Sequence, residues 1–320
     1  MKIVVQISRY IVALTFIFSG FVKLVDPLGS AYKFQEYFGF DVLNLEFLIP
    51  YALPFSILLI MAEIMLGVML LVGYLPKFTS WSLLLIILVF LFLTWYSAYY
   101  NKVTDCGCFG DAVKLSAWGT FYKNVVLIVF ILVLVWKNSH IKPIISANIA
   151  KWTSFLSFLT FLYITYYVLV HLPIIDFRPY AIGKSIPEGM KFVGTELPPI
   201  HDFYLESNEG ENLTDKVLAD DKVMLIVMYN ISRSDRDGFD AIKKVTDKAL
   251  KNGYNVYALS ASLNDEFIDI KEEFDLKFDM LFCDETTLKT IIRANPGVLT
   301  LEKGVVKGKW NWIDAEKIKF

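Results

Sequence analysis

The sequence predicts an α-helical membrane bundle, four helices plus a fifth, followed by an α/β soluble domain. Three observations predict it. The 320-residue chain is 55% hydrophobic with 20% charged residues, and its mean hydropathy is +0.49, too apolar for a soluble protein and too charged for one wholly in lipid. The charge is segregated: residues 1–175 are mostly long apolar runs, whereas residues 176–320 carry most of the Asp, Glu and Lys. In that second part, strand-like and helix-like runs alternate. A net charge of −2 gives no polyanion footprint, so nucleic acid is not an expected partner.

Five segments are long and apolar enough to cross a bilayer, which takes roughly 20 residues: Ile3–Val22, Tyr51–Leu71, Trp81–Tyr100, Phe121–Trp136 and Trp152–Leu172. The first lacks a small-residue cleavage site and runs into Lys23 and Asp26-Pro27, so it reads as a membrane helix rather than a signal peptide. The fourth is short and spans only if Lys123 snorkels or the helix begins earlier. The first four helices form an expected domain over residues 1–140. A fifth helix and a Pro-rich linker follow over 141–187, and the soluble domain covers 188–320.

Loop charge sets the expected orientation. Loops 76–80 and 137–151 hold Lys77, Lys137, Lys142 and Lys151 without an acid, while loops 25–49 and 101–120 hold Asp26, Glu36, Asp41, Glu46, Asp105 and Asp111 among fewer bases. The positive-inside rule then puts the N-terminus in the cytoplasm, and five crossings put loop 101–120 and the C-terminal domain together on the outer side. Pro173, Pro179 and Pro187 stop the fifth helix and stiffen an extended exit.

In the soluble domain, Val223–Tyr229 is a continuous apolar run, as a buried central strand should be. Asp235–Asn252 has helical spacing, with Phe239, Ile242, Val245 and Leu250 on one side and Gly253 as its stop. Asn255–Ser260 and Met280–Cys283 are further strands, with helices over Glu266–Phe274 and Thr286–Arg293. Gly297–Leu301 and Val305–Trp310, joined by Glu302-Lys303-Gly304, read as a hairpin.

The chemistry-bearing motif is Asp105-Cys106-Gly107-Cys108-Phe109-Gly110-Asp111. A Cys-x-Cys bridge closes a small ring, and Gly107 gives the backbone the freedom to make it. Strain in such a ring makes it more oxidising than a relaxed bridge. Lys102, Lys114 and Lys123 favour a thiolate, whereas Asp105 and Asp111 oppose it. Redox exchange is one reading of the pair, and a structural disulfide is another. A metal site is a third, although zinc wants about four ligands and the loop has two thiols, two Asp and no His. Glu63, near the middle of the second span, is a functional candidate by depth alone. It reads as a proton handler beside a quinone, as an ion pair with Arg9, or as a protonated acid bonded to a neighbouring helix. Trp310 and Trp312 read as an exposed contact patch or as caps on the sheet core. Cys283 reads as a buried small hydrophobe.

Two stretches resemble known families. Arg9–Pro27, with Cys106-Gly-Cys-Phe-Gly-Asp111 before the fourth helix, resembles the DoxX/MauE family of four-helix membrane proteins over residues 5–137. That resemblance implies a role in redox chemistry and disulfide maturation, in the cytoplasmic (inner) membrane of a bacterium. The soluble domain resembles thioredoxin-like domains of the TlpA/peroxiredoxin type. Val193–Phe203 stands at their leading strand, Val223–Tyr229 at the strand before their active site, and Asn295-Pro296-Gly297 at their cis-proline. The family's Cys-x-x-Cys is absent: the corresponding stretch is Asn230-Ile-Ser-Arg-Ser-Asp-Arg-Asp237. A serine hydroxyl cannot replace a thiolate in disulfide exchange, so this domain is expected to be redox-inactive and to bind partners through Trp310, Trp312 and Pro296.

Two function classes follow. One is a membrane thiol–disulfide redox protein working through Cys106 and Cys108, with an envelope protein or thiol-containing substrate as partner and a quinone as candidate acceptor. The other is a non-catalytic scaffold of a cell-envelope complex, with the Cys pair as a staple. The lack of an inverted repeat speaks against a transporter.

Overall fold

A computed structural model describes all residues except Thr104, Asp105, Cys106, Cys108, Lys114, Val193, Thr195 and Glu196. The chain divides into two compact units, Met1–Leu169 and Val170–Phe320.

The first unit is helical: α1 (Lys2–Val25), α2 (Pro27–Phe38), α3 (Ala52–Val72), α4 (Pro76–Tyr100), α5 (Ala117–Trp136) and α6 (Ala147–Val170). Five of these are long and apolar enough to cross a membrane, and the protein is a multi-pass membrane protein. The fourth span starts four residues before Phe121, under a Ser116 N-cap whose hydroxyl accepts from Gly119 N at 3.1 Å. That start resolves the shortfall in length.

The bundle's tightest seam lies between α1 and α3. A Cβ on Gly20 would stand 2.8 Å from Ile64 Cβ, and one on Gly67 would stand 2.9 Å from the backbone nitrogen of Ile17. Only hydrogen fits there, so the two backbones touch, as small residues allow in lipid. Around the seam, Val12, Ala13, Phe16, Leu70, Leu83, Ile87, Ile131 and Leu134 form a buried cluster shared by α1, α3, α4 and α5.

Helix α2 occupies a stretch that the sequence alone presents as loop. Asp26 caps it, accepting from Gly29 N at 3.0 Å, and Pro27 occupies its first turn, both ordinary helix-start signals. It folds back beside the start of α3, where Ser56 donates to the Pro27 carbonyl at 3.0 Å.

The second unit is built on a five-stranded sheet of β1 (Val223–Val227), β2 (Asn255–Ser260), β3 (Asp279–Phe282), β4 (Gly297–Glu302) and β5 (Val305–Asn311), in the order β3-β2-β1-β4-β5. β1, β2 and β3 are parallel, while β4 and β5 run antiparallel. Short helices α7 (Ile186–Gly189) and α8 (Thr214–Ala219) precede the sheet, and α9 (Gly238–Lys251), α10 (Asn264–Glu273) and α11 (Glu285–Ile291) alternate with its strands. β1 is buried along its whole length, as its unbroken apolar sequence requires. Cores lie on both faces, one containing Leu225, Leu299 and Ile291, the other Ile226, Phe239 and Ile242. This is the thioredoxin-like fold that the resemblance implied.

Two details differ from expectation. On α9, Ala249 is buried and Leu250 is exposed, because the helix turns Leu250 away from the sheet. The described residues of the expected leading strand, Gly194 and 197–203, form no strand; Ile200, Phe203 and Leu205 instead pack as irregular chain against the sheet core. The segment expected as a free exit belongs to this unit. Gly183 N and Ile186 N donate to the carbonyls of Val306 and Gly304, at 2.8 and 2.9 Å. These bonds cover the free edge of β5.

Candidate functional site

Cys106 and Cys108 lie outside the described residues. Their neighbours Gly107, Phe109 and Gly110 are described. Gly107 has φ +65°, a left-handed conformation open to glycine at no steric cost, and its carbonyl accepts from Gly110 N at 3.0 Å in a tight turn. Two lysines from different helices hold this turn. The Lys33 stem on α2 comes within 3.0 Å of where a Gly107 Cβ would be, and the Lys33 ammonium pairs with Glu36 at 2.8 Å. The Lys123 ammonium on α5 sits over the Phe109 ring, 4.1 Å from its centroid, while Phe18 meets the same ring edge-on at 5.4 Å. Lys123 therefore serves as a cation–π partner.

Beneath Gly107 lies a cavity of about 50 Å³, bordered by Lys23, Ser30, Lys33, Tyr37, Phe90 and Thr94 among others. At roughly 10–15 Å³ per water, that volume holds a few waters. It is well short of the ~150 Å³ that accommodates a benzene ring in an apolar cavity.

Glu63 is fully buried, and its partner is Lys23 rather than the expected Arg9. The Lys23 ammonium donates to both carboxylate oxygens, at 2.8 and 2.7 Å, and to Ser19 Oγ at 3.0 Å; Ser19 Oγ itself donates to Glu63 at 3.2 Å. Phe90 lies beneath the ammonium at 5.2 Å. Glu63 is thus a member of a closed hydrogen-bonded network with Lys23 and Ser19. Arg9 instead donates to the carbonyls of Leu70, Leu71 and Lys142, at 2.8, 2.9 and 3.0 Å. It thereby satisfies the orphan carbonyls at the end of α3.

In the soluble unit, the stretch after β1, where the thioredoxin-like resemblance implied a Cys-x-x-Cys, is closed by hydrogen bonds. Ser234 Oγ donates to the Asn230 carbonyl and to Asn295 Oδ1, both at 3.0 Å, and Asn295 Nδ2 donates to the Asn230 carbonyl at 2.8 Å. The Asn295–Pro296 peptide is cis, in keeping with the family position, and Pro296 is buried. A Cβ on Gly238, at the start of α9, would meet Trp312 Cγ at 2.8 Å and Pro296 Cγ at 3.1 Å, so the indole covers that helix start. Trp310 and Trp312 are both half-buried against the core. Neither stands out as an exposed patch, because each ring lies over a glycine, Gly308 or Gly238, that leaves it room. Cys283 is fully buried, and burial pushes its thiol up to about 12, so it is protonated at neutral pH.

Three residues of consequence escape the sequence pattern. Lys33 and Lys23 do so because α2 looks like loop and Lys23 looks like a flank of the first span. The Asp26-Pro27 pair is the signal for α2. The third is Lys309, buried on β5, where its ammonium meets Asp176 at 2.6 Å and the Tyr180 carbonyl at 3.2 Å. Arg178 forks onto the same carboxylate at 2.7 and 3.0 Å. Burial, aided by Arg178 and Arg293 and opposed by Asp176, lowers Lys309 to about 7. Asp176 is held below the usual carboxylate range: its burial acts against ionisation, and the two cations outweigh it.

Among the described residues, no group of three or more His, Cys, Asp or Glu is placed to hold a metal ion.

No curated protein matches the sequence. A solved thioredoxin-like protein from Bacteroides caccae ATCC 43185 is similar over 85% of this chain and 83% of its own, at 12% identity and a TM-score of 0.28. The soluble fold is assigned above on its strand order. Residues 1–137 match the family described as Methylamine utilisation protein MauE, and the membrane unit is therefore a MauE-family domain, joined in one chain to a thioredoxin-like domain.

Proposed function

We propose that the protein is a membrane thiol–disulfide redox protein whose Cys106/Cys108 pair works on the periplasmic side, with the thioredoxin-like domain recruiting the partner. The observation that carries this reading is the Cys-Gly-Cys turn itself. In sequence, Cys106 and Cys108 flank Gly107, whose φ is left-handed, in a MauE-family domain where Lys33 packs on Gly107 and Lys123 on Phe109. Loop charge supports a cytoplasmic N-terminus and an outer location for both the loop and the C-terminal domain, in a compartment that permits disulfides.

The reaction moves two electrons. A partner dithiol attacks the Cys106–Cys108 disulfide; the bridge breaks, a mixed disulfide forms, and the second partner thiol displaces it. The partner leaves as a disulfide and the pair is left as two thiols. A membrane quinone that takes two electrons and two protons from those thiols would leave as quinol and restore the bridge. The cavity under Gly107 is too small for a quinone ring, so the acceptor would meet the loop from the membrane side.

The soluble domain takes no part in the exchange. Its vacant thiol positions are sealed by Ser234, Asn230 and Asn295, and Cys283 is buried and protonated. This sealing also favours the second reading, a scaffold subunit of an envelope complex in which Cys106 and Cys108 form a structural bridge.

Reduced full-length protein in nanodiscs, mixed with oxidised glutathione, tests the redox reading. The redox reading expects a transient glutathione adduct followed by the Cys106–Cys108 bridge, and a stable adduct in Cys106→Ser or Cys108→Ser. A wild-type pair that forms neither adduct nor bridge refutes it.

A further inference from the structure

One end of the helical bundle carries charge of a single sign. Arg9 near the start of α1 donates to the carbonyls of Leu70, Leu71 and Lys142, and Ile144 N donates to the Val72 carbonyl at 3.3 Å. The short turn Asn138–His140 packs against α4. These contacts gather the start of α1, the α3–α4 turn and the segment between α5 and α6 at one end. Residues 1–9, 72–82 and 136–151 bring Lys2, Lys77, Lys137, Lys142 and Lys151 there, and not one Asp or Glu. Arg9 turns inward, whereas Lys2, Lys77, Lys142 and Lys151 are exposed. Trp81, Trp136 and Trp152 are each more than half exposed at this end, in keeping with tryptophans at the headgroup level of a bilayer.

A groove of about 670 Å³ opens here, lined along α4 by Leu75, Lys77, Phe78, Trp81 and Leu85 among others. That volume falls within the range of about 300–1,000 Å³ typical of ligand sites. Its polarity is graded. Lys77 stands at the outer end, and the apolar wall runs from it to Leu85, about 12 Å along the helix toward the bilayer centre.

We propose that this groove binds an anionic phospholipid, with the phosphate on Lys77 and an acyl chain along Phe78, Trp81 and Leu85. The occupant follows from the setting: the groove lies on a membrane-spanning helix, where lipid is the molecule that meets it. An apolar wall topped by one cation matches an amphiphile with a negative head. The lysine-only face selects among headgroups. An anionic head gains from every ammonium nearby, while the choline of a zwitterionic lipid cancels its own phosphate and meets like charge. A general excess of lysines at one end follows from topology alone; the groove is what singles out Lys77 among the five. The Gly107 turn lies at the other end of α1, where Phe109 and Gly110 meet Phe18 and Val22, so lipid binding here neither needs nor supports the redox reading.

The test is native mass spectrometry of the full chain, delipidated in detergent and titrated with phosphatidylglycerol or with phosphatidylcholine of the same acyl chains. Phosphatidylglycerol is expected to bind at least about fivefold more tightly. Lys77→Met keeps the apolar stem and should weaken phosphatidylglycerol about fivefold while leaving phosphatidylcholine unchanged; Lys77→Arg should restore it. Trp81→Ala should weaken both lipids, because it removes part of the wall for the chain. Lys151→Met, on the same face but not lining the groove, should leave both near wild type. Equal affinity for the two lipids would overturn the proposal. So would a loss in Lys151→Met as large as that in Lys77→Met, which marks a diffuse charged face, or full displacement of the lipid by inorganic phosphate, which marks a free-anion site.

Discussion

Removing either charge of the Lys23–Glu63 pair should harm the protein more than removing both. The pair lies inside the bundle, with side chains 5% and 0% exposed. Every oxygen of Glu63 is engaged, by Lys23 at 2.8 and 2.7 Å and by Ser19 at 3.2 Å. In Glu63→Leu the ammonium keeps, among the described residues, Ser19 and the Phe90 ring, and an uncompensated buried charge costs about 3–5 kcal/mol. Lys23→Met strands the carboxylate, which can escape by protonation, so its loss lies near the lower end, about 3 kcal/mol. The double replacement puts apolar chains of similar volume in the same space; buried pairs replaced this way are often neutral or stabilised by about 1–4 kcal/mol. The assay is unfolding in mixed micelles with added SDS, read by tryptophan fluorescence, across the four-member cycle. If the double variant loses as much as the two singles together, the pair is not the coupled unit described here. A Glu63→Leu variant as stable as wild type would refute the buried charge itself.

Three further outcomes are expected. Gly20→Leu should prevent the α1–α3 seam from closing, because a Cβ there already meets Ile64 at 2.8 Å; crosslinking between cysteines placed on the two helices should fall to background. Gly238→Ala should push Trp312 off the start of α9, with a red-shifted Trp emission and a loss of about 1–3 kcal/mol, the usual range for overpacking. Lys309 should make stability depend on pH. Folding lowers it from 10.5 to about 7, so the cost of burying the ammonium is fully present below about pH 7 and disappears as pH rises toward 10.5. The denaturant midpoint of the full chain should climb across that window, and Lys309→Met should flatten the climb.

The spans and the sheet are legible in the sequence because each rests on a single strong signal. Unbroken apolar length gives the helices, and Val223–Val227 is apolar throughout because neighbours on both faces bury it. The partner of Glu63 is not legible. Counted from the helix ends, Glu63 lies about 16 Å into α3 and Arg9 about 24 Å into α1 from its C-terminal end, against about 3 Å for Lys23; Arg9 looks the better match in depth. The contacts of Gly20 with Ile64 and of Gly67 with Ile17 instead set a register in which the start of α3 overhangs the end of α1 by about 10 Å. Lys23 thereby reaches Glu63, and Arg9 falls level with the last turn of α3. The overhang is filled by α2, the helix whose Asp26-Pro27 start passes for loop. Lys33 stays hidden for the same reason. For the tryptophans, the chain shows their spacing along β5, while Gly308 and Gly238, which give each ring room to lie down, are apparent only in three dimensions.

The most direct test of the central claim is a redox titration of Cys106 and Cys108 in the purified full chain in detergent, read by alkylation and mass. The account predicts a reversible two-electron couple near or above the thioredoxin range, about −270 mV or higher. A bridge that resists reduction below about −300 mV, or two thiols that never pair, would contradict it.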